Sequence, residues 1–328
     1  MGAPSPFPSS TAVLNESEAT ETAIQAYPFM KILYYDCFAG ISGDMNLAAM
    51  IGLGIDPECL RVELSKLGLD HEFELKVRKD SRNGIYGTRV DVILKNQDDD
   101  AQEQHTHGYR PGEENKPHSY LYDHGHQHGH GHGHAHGRHR SLSDIESIIT
   151  GSDLSDEVKN TSLQIFRTVA EAEAKVHDKP LQEVQFHEVG ATDSIVDIVG
   201  AAICLHRLDV DAIWASPVEL GGGFVSCAHG KIPVPAPATV EILQGIPTTR
   251  GAVQQETTTP TGAAILATLV DEFTDSPKMV TKKTAYGIGH RKSDIPNVLR
   301  VHLASTVTSR DPRMRIANPA FCNPTLTT

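Results

Sequence analysis

Lys31 to Cys37 is a short apolar run that reads as a buried strand, and Phe38 to Gly43 follow it as a small-residue turn. Asp44 or Ser42 then caps a helix running through Met50, so the chain opens strand, glycine turn, helix, an α/β beginning. Pro57 suits a first helical turn and predicts a second helix over Asp56 to Leu67, while Phe73 to Arg78 and Thr88 to Leu94 read as paired strands. Helical periodicity returns over Ser141 to Thr150 and Ser155 to Val176, with acidic residues near each start, as the helix dipole prefers. Val184 to Glu188 predicts a short strand, Asp193 to Leu208 a helix, and Ala212 to Leu220 another strand. Helices over Ala236 to Gln244 and Pro260 to Phe273 precede a strand near Met279 to Tyr286 and a loop from Gly287 to Pro296. No internal repeat is visible. The fold class is α/β, mixed α+β.

Three stretches interrupt this pattern and set the domain plan. Residues 1–29 are rich in Ser, Thr, Ala and Pro and carry no Lys or Arg, so they lack a signal peptide's basic start and read as a disordered lead-in. Residues 30–275 form the main α/β domain, within which 96–140 is an acidic, histidine-rich insertion expected to project as a disordered loop. Residues 276–328 read as the truncated start of a C-terminal domain, ending in a Ser-, Thr-, Arg- and Pro-rich tail without periodicity after Leu303.

The 328 residues carry a formal net charge of −13, which opposes nucleic-acid binding, because phosphate neutralisation needs clustered Lys and Arg. Five cysteines with no CxxC pair predict reduced thiols. No apolar run approaches the roughly 20 residues that span a bilayer. The expectation is a cytoplasmic protein.

The candidate chemistry is metal chemistry. Eleven of the eighteen histidines fall between His105 and His139, and His124, His126, His128, His130, His132, His134 and His136 alternate with Gly, Gln or Ala. Residues two apart in an extended chain project to one side, so neighbouring imidazoles converge on one ion, and the glycines make this a flexible net that selects poorly, with nickel, zinc or cobalt as the candidate metals. Its bland counterpart is a solvated insertion with incidental affinity. Around His187 and Glu188 a strand-to-helix turn leads to Asp193 and Asp197, four apart on one helical face, where like charges destabilise unless a cation sits near them. Capping by Asp193 and solvation of Asp197 is the plainer alternative. Asp36 and Asp44 flank Gly40-Ile41-Ser42-Gly43, whose amides suit an anion at a helix start or simply a tight turn; the run matches neither nucleotide-loop pattern. Thr259, Thr261 and Gly262 at another helix start offer an uncharged phosphate cradle or a plain cap, and His229, two from Cys227, is a further soft-metal ligand.

Four motifs taken in order carry a resemblance: Asp36-Cys37-Phe38-Ala39-Gly40-Ile41-Ser42-Gly43-Asp44-Met45, Phe186 to Ser194, His229 to Thr239, and Thr259 to Ala264. With Tyr286 to Arg291 and Pro296 to Arg300, they resemble the LarC family, nickel-insertion proteins for the nickel-pincer cofactor first associated with lactate racemase. The resemblance implies a lyase-class, CTP-dependent insertion of nickel into pyridinium-3,5-bisthiocarboxylic acid mononucleotide, with a divalent cation accompanying CTP. Family members continue past Pro296 to Arg300 into a C-terminal domain associated with CTP. A short form that loads nickel and relies on a C-terminal partner or full-length form is therefore expected, with homo-oligomerisation left open. A nickel store or metallochaperone is the alternative, and a phosphohydrolase using the same carboxylates is a third; removing Gln104 to Arg140 separates the first two.

Overall fold

The computed structural model describes residues 30–95, 140–184, 186, 192–227 and 230–307. Its elements in chain order are β1 Lys31–Asp36, α1 Gly43–Leu53, α2 Pro57–Ser65, β2 Phe73–Arg82, β3 Ile85–Leu94, α3 Leu142–Thr150 and α4 Asp156–Val176. Then follow α5 Thr192–Leu208, β4 Ala212–Ala215, β5 Val218–Glu219, β6 Phe224–Cys227, β7 Gly230–Pro233, α6 Pro237–Ile242, β8 Thr248–Thr249, α7 Pro260–Leu269, β9 Glu272–Phe273, β10 Met279–Ile288 and β11 Val298–Thr306. The mixed α/β class follows directly.

Seven strands make one sheet in the order β2-β3-β10-β11-β1-β4-β9. β1 runs parallel to β4 and antiparallel to β11. Period-two alternation in β1 sends Leu33 and Tyr35 into the main core and Ile32 and Tyr34 into a smaller cluster with Ala304. The main core is closed by α1, α4, α5 and α7, to which Leu47, Phe166, Ile195, Val199 and Leu266 contribute fully buried side chains. α5 is apolar nearly all round and is accordingly buried along most of its length, from Thr192 to Leu208.

The local signals explain most boundaries. Asp56 caps α2 by accepting from Glu58 N, with Pro57 in the first turn, and Ser141 with Asp144 forms a reciprocal capping box on α3. Three expectations need correction. Val184 and Phe186 are not in a strand: after a 3-10 turn at Leu181–Glu183 both side chains sink into the core, Phe186 tilted against Phe166. The strand expected from Ala212 to Leu220 breaks at Ser216-Pro217, since proline has no N–H for a ladder, and Val218 leaves to pair with Thr248 in β8. α7 stops at Leu269, after which Asp271 N bonds Ile213 O and Glu272–Phe273 join the sheet beside β4.

Residues 279–306, read from sequence as the opening of a separate C-terminal unit, lie in the middle of the sheet. β10 and β11 pair along nearly their whole length, β11 also pairs β1, and β10 meets β3. β2 and β3 are longer than the alternation suggested, because they form a continuous hairpin closed at Asn83-Gly84, where both φ values are positive (48° and 81°). Among the described residues no helix is long and apolar enough to cross a membrane, and Cys37, Cys59 and Cys204 are free thiols.

Candidate metal-handling site

The first turn of α1 and the first two turns of α5 meet. Gly43 opens α1, and a Cβ built on it stands 2.3 Å from Asp197 Oδ2, so only glycine lets α5 bring its carboxylate against α1. Gly200, three residues after Asp197 on α5, admits Leu47 in the same way. The close approach places Asp44, Asp193 and Asp197 on one wall of a cavity of about 540 Å³, whose other polar lining is Arg78, Asp91 and His290. The four-residue spacing of the α5 aspartates puts both carboxylates on the same cavity.

These carboxylates are uncomfortable as they stand. Burial, with Asp44 and Asp193 beside it, holds the Asp197 carboxyl well above the usual carboxylate range, and its Oδ1 has no hydrogen-bond partner. Burial also raises Asp193, with Asp44 adding to the shift against the Ser194 N–H that its side chain accepts at 2.8 Å. Asp44 Oδ1 accepts from the Ser42 hydroxyl, and its Oδ2 stands 3.0 Å from His290 Nε2. An unpartnered buried carboxylate oxygen is costly, and a cation is what relieves it.

His290 is fixed from the other side. Arg89 Nη2 lies 2.7 Å from its Nδ1, and a guanidinium only donates, so Nδ1 accepts and the ring proton on Nε2 faces Asp44. The Asp44 contact raises the His290 pKa, against partial burial. Arg89 in turn pairs with Asp80 at 3.2 Å and Asp91 at 3.0 Å, and Arg78 with Asp91 at 3.0 Å, a network on β2 and β3 that braces the ring.

The two glycine and threonine turns interlock beside this wall. A Cβ on Gly40 stands 2.2 Å from Thr257 O and one on Gly262 2.3 Å from Ile41 O, with Thr259 N donating to Ile41 O at 3.1 Å. A second cavity of about 220 Å³ opens there, lined by Ser42, Asp44, Thr259, His290 and Arg291 among others, so Asp44 and His290 divide two spaces. The threonines are largely spoken for: Thr257 and Thr258 both donate to Glu219 O at 2.7 Å, and Thr259 caps α7 by accepting from Gly262 N. Thr261 is buried away from the cavity lining, and Asp36 is paired with Arg300, its Oδ2 2.7 Å from Nε.

Of the residues singled out from sequence, the structure therefore brings together Asp44, Asp193 and Asp197, with Ser42 and Thr259 on the adjoining space and Gly40, Gly43 and Gly262 making the close contacts. His187, Glu188, His229 and His124 to His136 lie outside the described residues. His290, Arg89, Asp91 and Arg78 escape sequence reasoning, although His290 stands inside the matched Tyr286 to Arg291 run. Among the described residues no three His, Cys, Asp or Glu side chains stand in a ready-made metal cage. Burial pushes the Cys37 thiol up, and that of Cys204 to about 12, and neither cysteine lines the cavity. What remains is an open, oxygen-rich half-site with one imidazole.

The site is an acidic cavity on a mixed α/β frame. The chain belongs to the nickel insertion protein family, whose model matches residues 33–318. A relative from Maridesulfovibrio salexigens bearing the same description is 64% identical over 276 residues, covering 84% of this chain and 63% of its own length. The pyridinium-3,5-bisthiocarboxylic acid mononucleotide nickel insertion proteins of Clostridium acetobutylicum and Akkermansia muciniphila are 59% and 46% identical, covering 86% and 84% of this chain and 66% and 61% of their own. The chain thus spans 61–66% of the length of these relatives, less than two thirds. No solved structure matches it significantly.

Proposed function

We propose that this chain binds nickel as cargo and inserts it into pyridinium-3,5-bisthiocarboxylic acid mononucleotide, the substrate named for its relatives. The observation that carries the reading is the wall of Asp44, Asp193 and Asp197, with a buried unpartnered Asp197 oxygen facing a cavity large enough for a small substrate. Carboxylates and one imidazole suit a divalent ion held loosely enough to be given up. An incomplete set of protein donors fits insertion, because the substrate itself supplies two sulfurs and a ring carbon. Forming the carbon–nickel bond in place of carbon–hydrogen releases one proton, and Asp193 and Asp197, both with raised pKa, are the bases at hand.

CTP with a divalent cation follows from the family resemblance alone. The described cavity around Asp44 presents four aspartates against one arginine and one histidine, which does not fit a triphosphate. The histidine-rich stretch favours a second reading, nickel storage or delivery without insertion.

The test is nickel binding and transfer by the purified chain, followed by product absorbance and mass, with and without CTP. Deleting 104–139 while sparing Arg140 leaves the cavity to be assayed alone. Asp44→Asn and Asp197→Asn in that background are expected to weaken nickel binding at least about tenfold and abolish product. If both variants bind and transfer like the parent, the cavity is not the site. If the deletion removes all nickel binding, storage is the better account.

A further inference from the structure

Two glycines fix how closely α5 approaches α1, but the apolar packing along the rest of α5 is non-directional and sets neither its axial position nor its rotation finely. A buried polar triad at its first residue does. Arg140 Nη2 donates to both oxygens of Glu72 at 2.7 Å, Arg140 Nη1 donates to Thr192 Oγ1 at 3.0 Å, and Thr192 Oγ1 donates to Glu72 Oε2 at 2.6 Å. All three residues are under 9% exposed. Burial alone would raise the Glu72 pKa, but the Arg140 and Thr192 bonds hold it below the usual range, so the carboxylate is ionised and its partners are committed. Each member uses the other two, which gives one geometry and no slack.

Thr192 is β-branched, so its stiff χ1 transmits that geometry to the backbone, and the next residue is Asp193. Asp197 follows one turn on. Neither Glu72, Arg140 nor Thr192 lines the cavity. Glu72 also ties the chain on both sides of residues 96–139: Lys95 N donates to Glu72 O at 2.8 Å and Arg140 takes its carboxylate.

We infer that Glu72, Arg140 and Thr192 are positioning residues that set the register of α5, so that Asp193 and Asp197 meet Asp44 as one cation-holding group. The inference rests on the reading of the acidic cavity as the nickel site. A positioning triad lowers nickel affinity in variants whose folding is intact, whereas an ordinary buried ion pair changes stability alone.

The experiment measures nickel affinity by calorimetry and thermal melting on the chain lacking 104–139. Thr192→Val keeps the shape and removes the hydroxyl; it is expected to melt within a few degrees of the parent and bind nickel about tenfold more weakly. Thr192→Ser restores the hydroxyl and is expected to restore affinity. Arg140→Lys retains the charge but cannot serve both Glu72 and Thr192, and is expected to reproduce the loss by an independent route. If Thr192→Val and Arg140→Lys stay folded and bind nickel as the parent does, or if affinity falls only where the melt collapses, the positioning role is overturned. Asp197→Asn in the same series keeps the two readings apart: unchanged binding there defeats the nickel site itself, whereas a loss there with normal Thr192→Val defeats only the triad.

Discussion

Asp197 shows how far a single residue can be from comfortable in a folded chain. Its folded pKa is raised by burial and by Asp44 and Asp193. A carboxylate with a raised folded pKa favours the folded state only while protonated, so its contribution is lost as pH rises through the folded value. Asp197→Asn is therefore expected to stabilise the nickel-free protein by about 1–3 kcal/mol at neutral pH, and much less at pH 4, while removing stabilisation by added nickel. Melts at the two pH values with and without nickel check this; equal melting of parent and variant at neutral pH would show that Asp197 is not strained. The spacing of Asp193 and Asp197 made both legible in the sequence, because helix geometry is local. The burial that gives them their chemistry is not local, and neither is the pairing of Asp44 with His290, 246 positions away by their numbers. Asp36 looks like Asp44 in sequence, at the other end of the same turn, yet Arg300 from β11 neutralises it and Phe38 packs on that guanidinium.

Between elements, the decisive quantity is how closely α1 and α5 approach. Gly43→Ala puts a methyl into the Asp197 carboxylate, 2.3 Å from its oxygen, whereas Gly200→Ala meets only the end of the Leu47 side chain at 2.8 Å, which can turn aside. The first is expected to cost about 2–3 kcal/mol and destroy nickel binding, the second about 1–2 kcal/mol with binding retained. Comparing Tm and nickel affinity of the two variants checks this; equal effects on binding would show that the approach at Gly43 has no special part in the site. Helix starts at Asp56 and Ser141 were readable because a cap is chemistry among neighbours. The Val184 strand was misread because an apolar run reports burial without saying which element provides it. The Asn83-Gly84 hairpin was available as a signal, since asparagine–glycine is the dipeptide a two-residue turn prefers.

At the scale of the molecule, the order β2-β3-β10-β11-β1-β4-β9 makes β10 and β11 the join between two halves of the sheet. A chain ending at Pro277 would expose the edges of β1 and β3 and leave Leu33, Tyr35 and Met50 without the Leu299 and Val301 side of their core. Such a fragment is expected to lack cooperative unfolding by circular dichroism and to aggregate, while a chain ending at Val307 melts cooperatively. Cooperative melting of the shorter fragment would mean that residues 279–306 are a separate unit after all. β11, with Arg300 and His302 on one face and Val301 on the other, looks in sequence like the edge of something new; its pairing with β1 puts it at the centre of the sheet.

The same arrangement has a consequence for how the protein is made. The first strand to leave the ribosome, β1, has one neighbour, β4, that follows about 180 residues later, and another, β11, that comes last of all the described strands. At a synthesis rate of about 5–20 residues per second the nascent chain carries an unfilled slot in its sheet for many seconds, open to any strand-like segment nearby. The cavity around the aspartates is then completed late, when the segment after β10 brings His290 against Asp44.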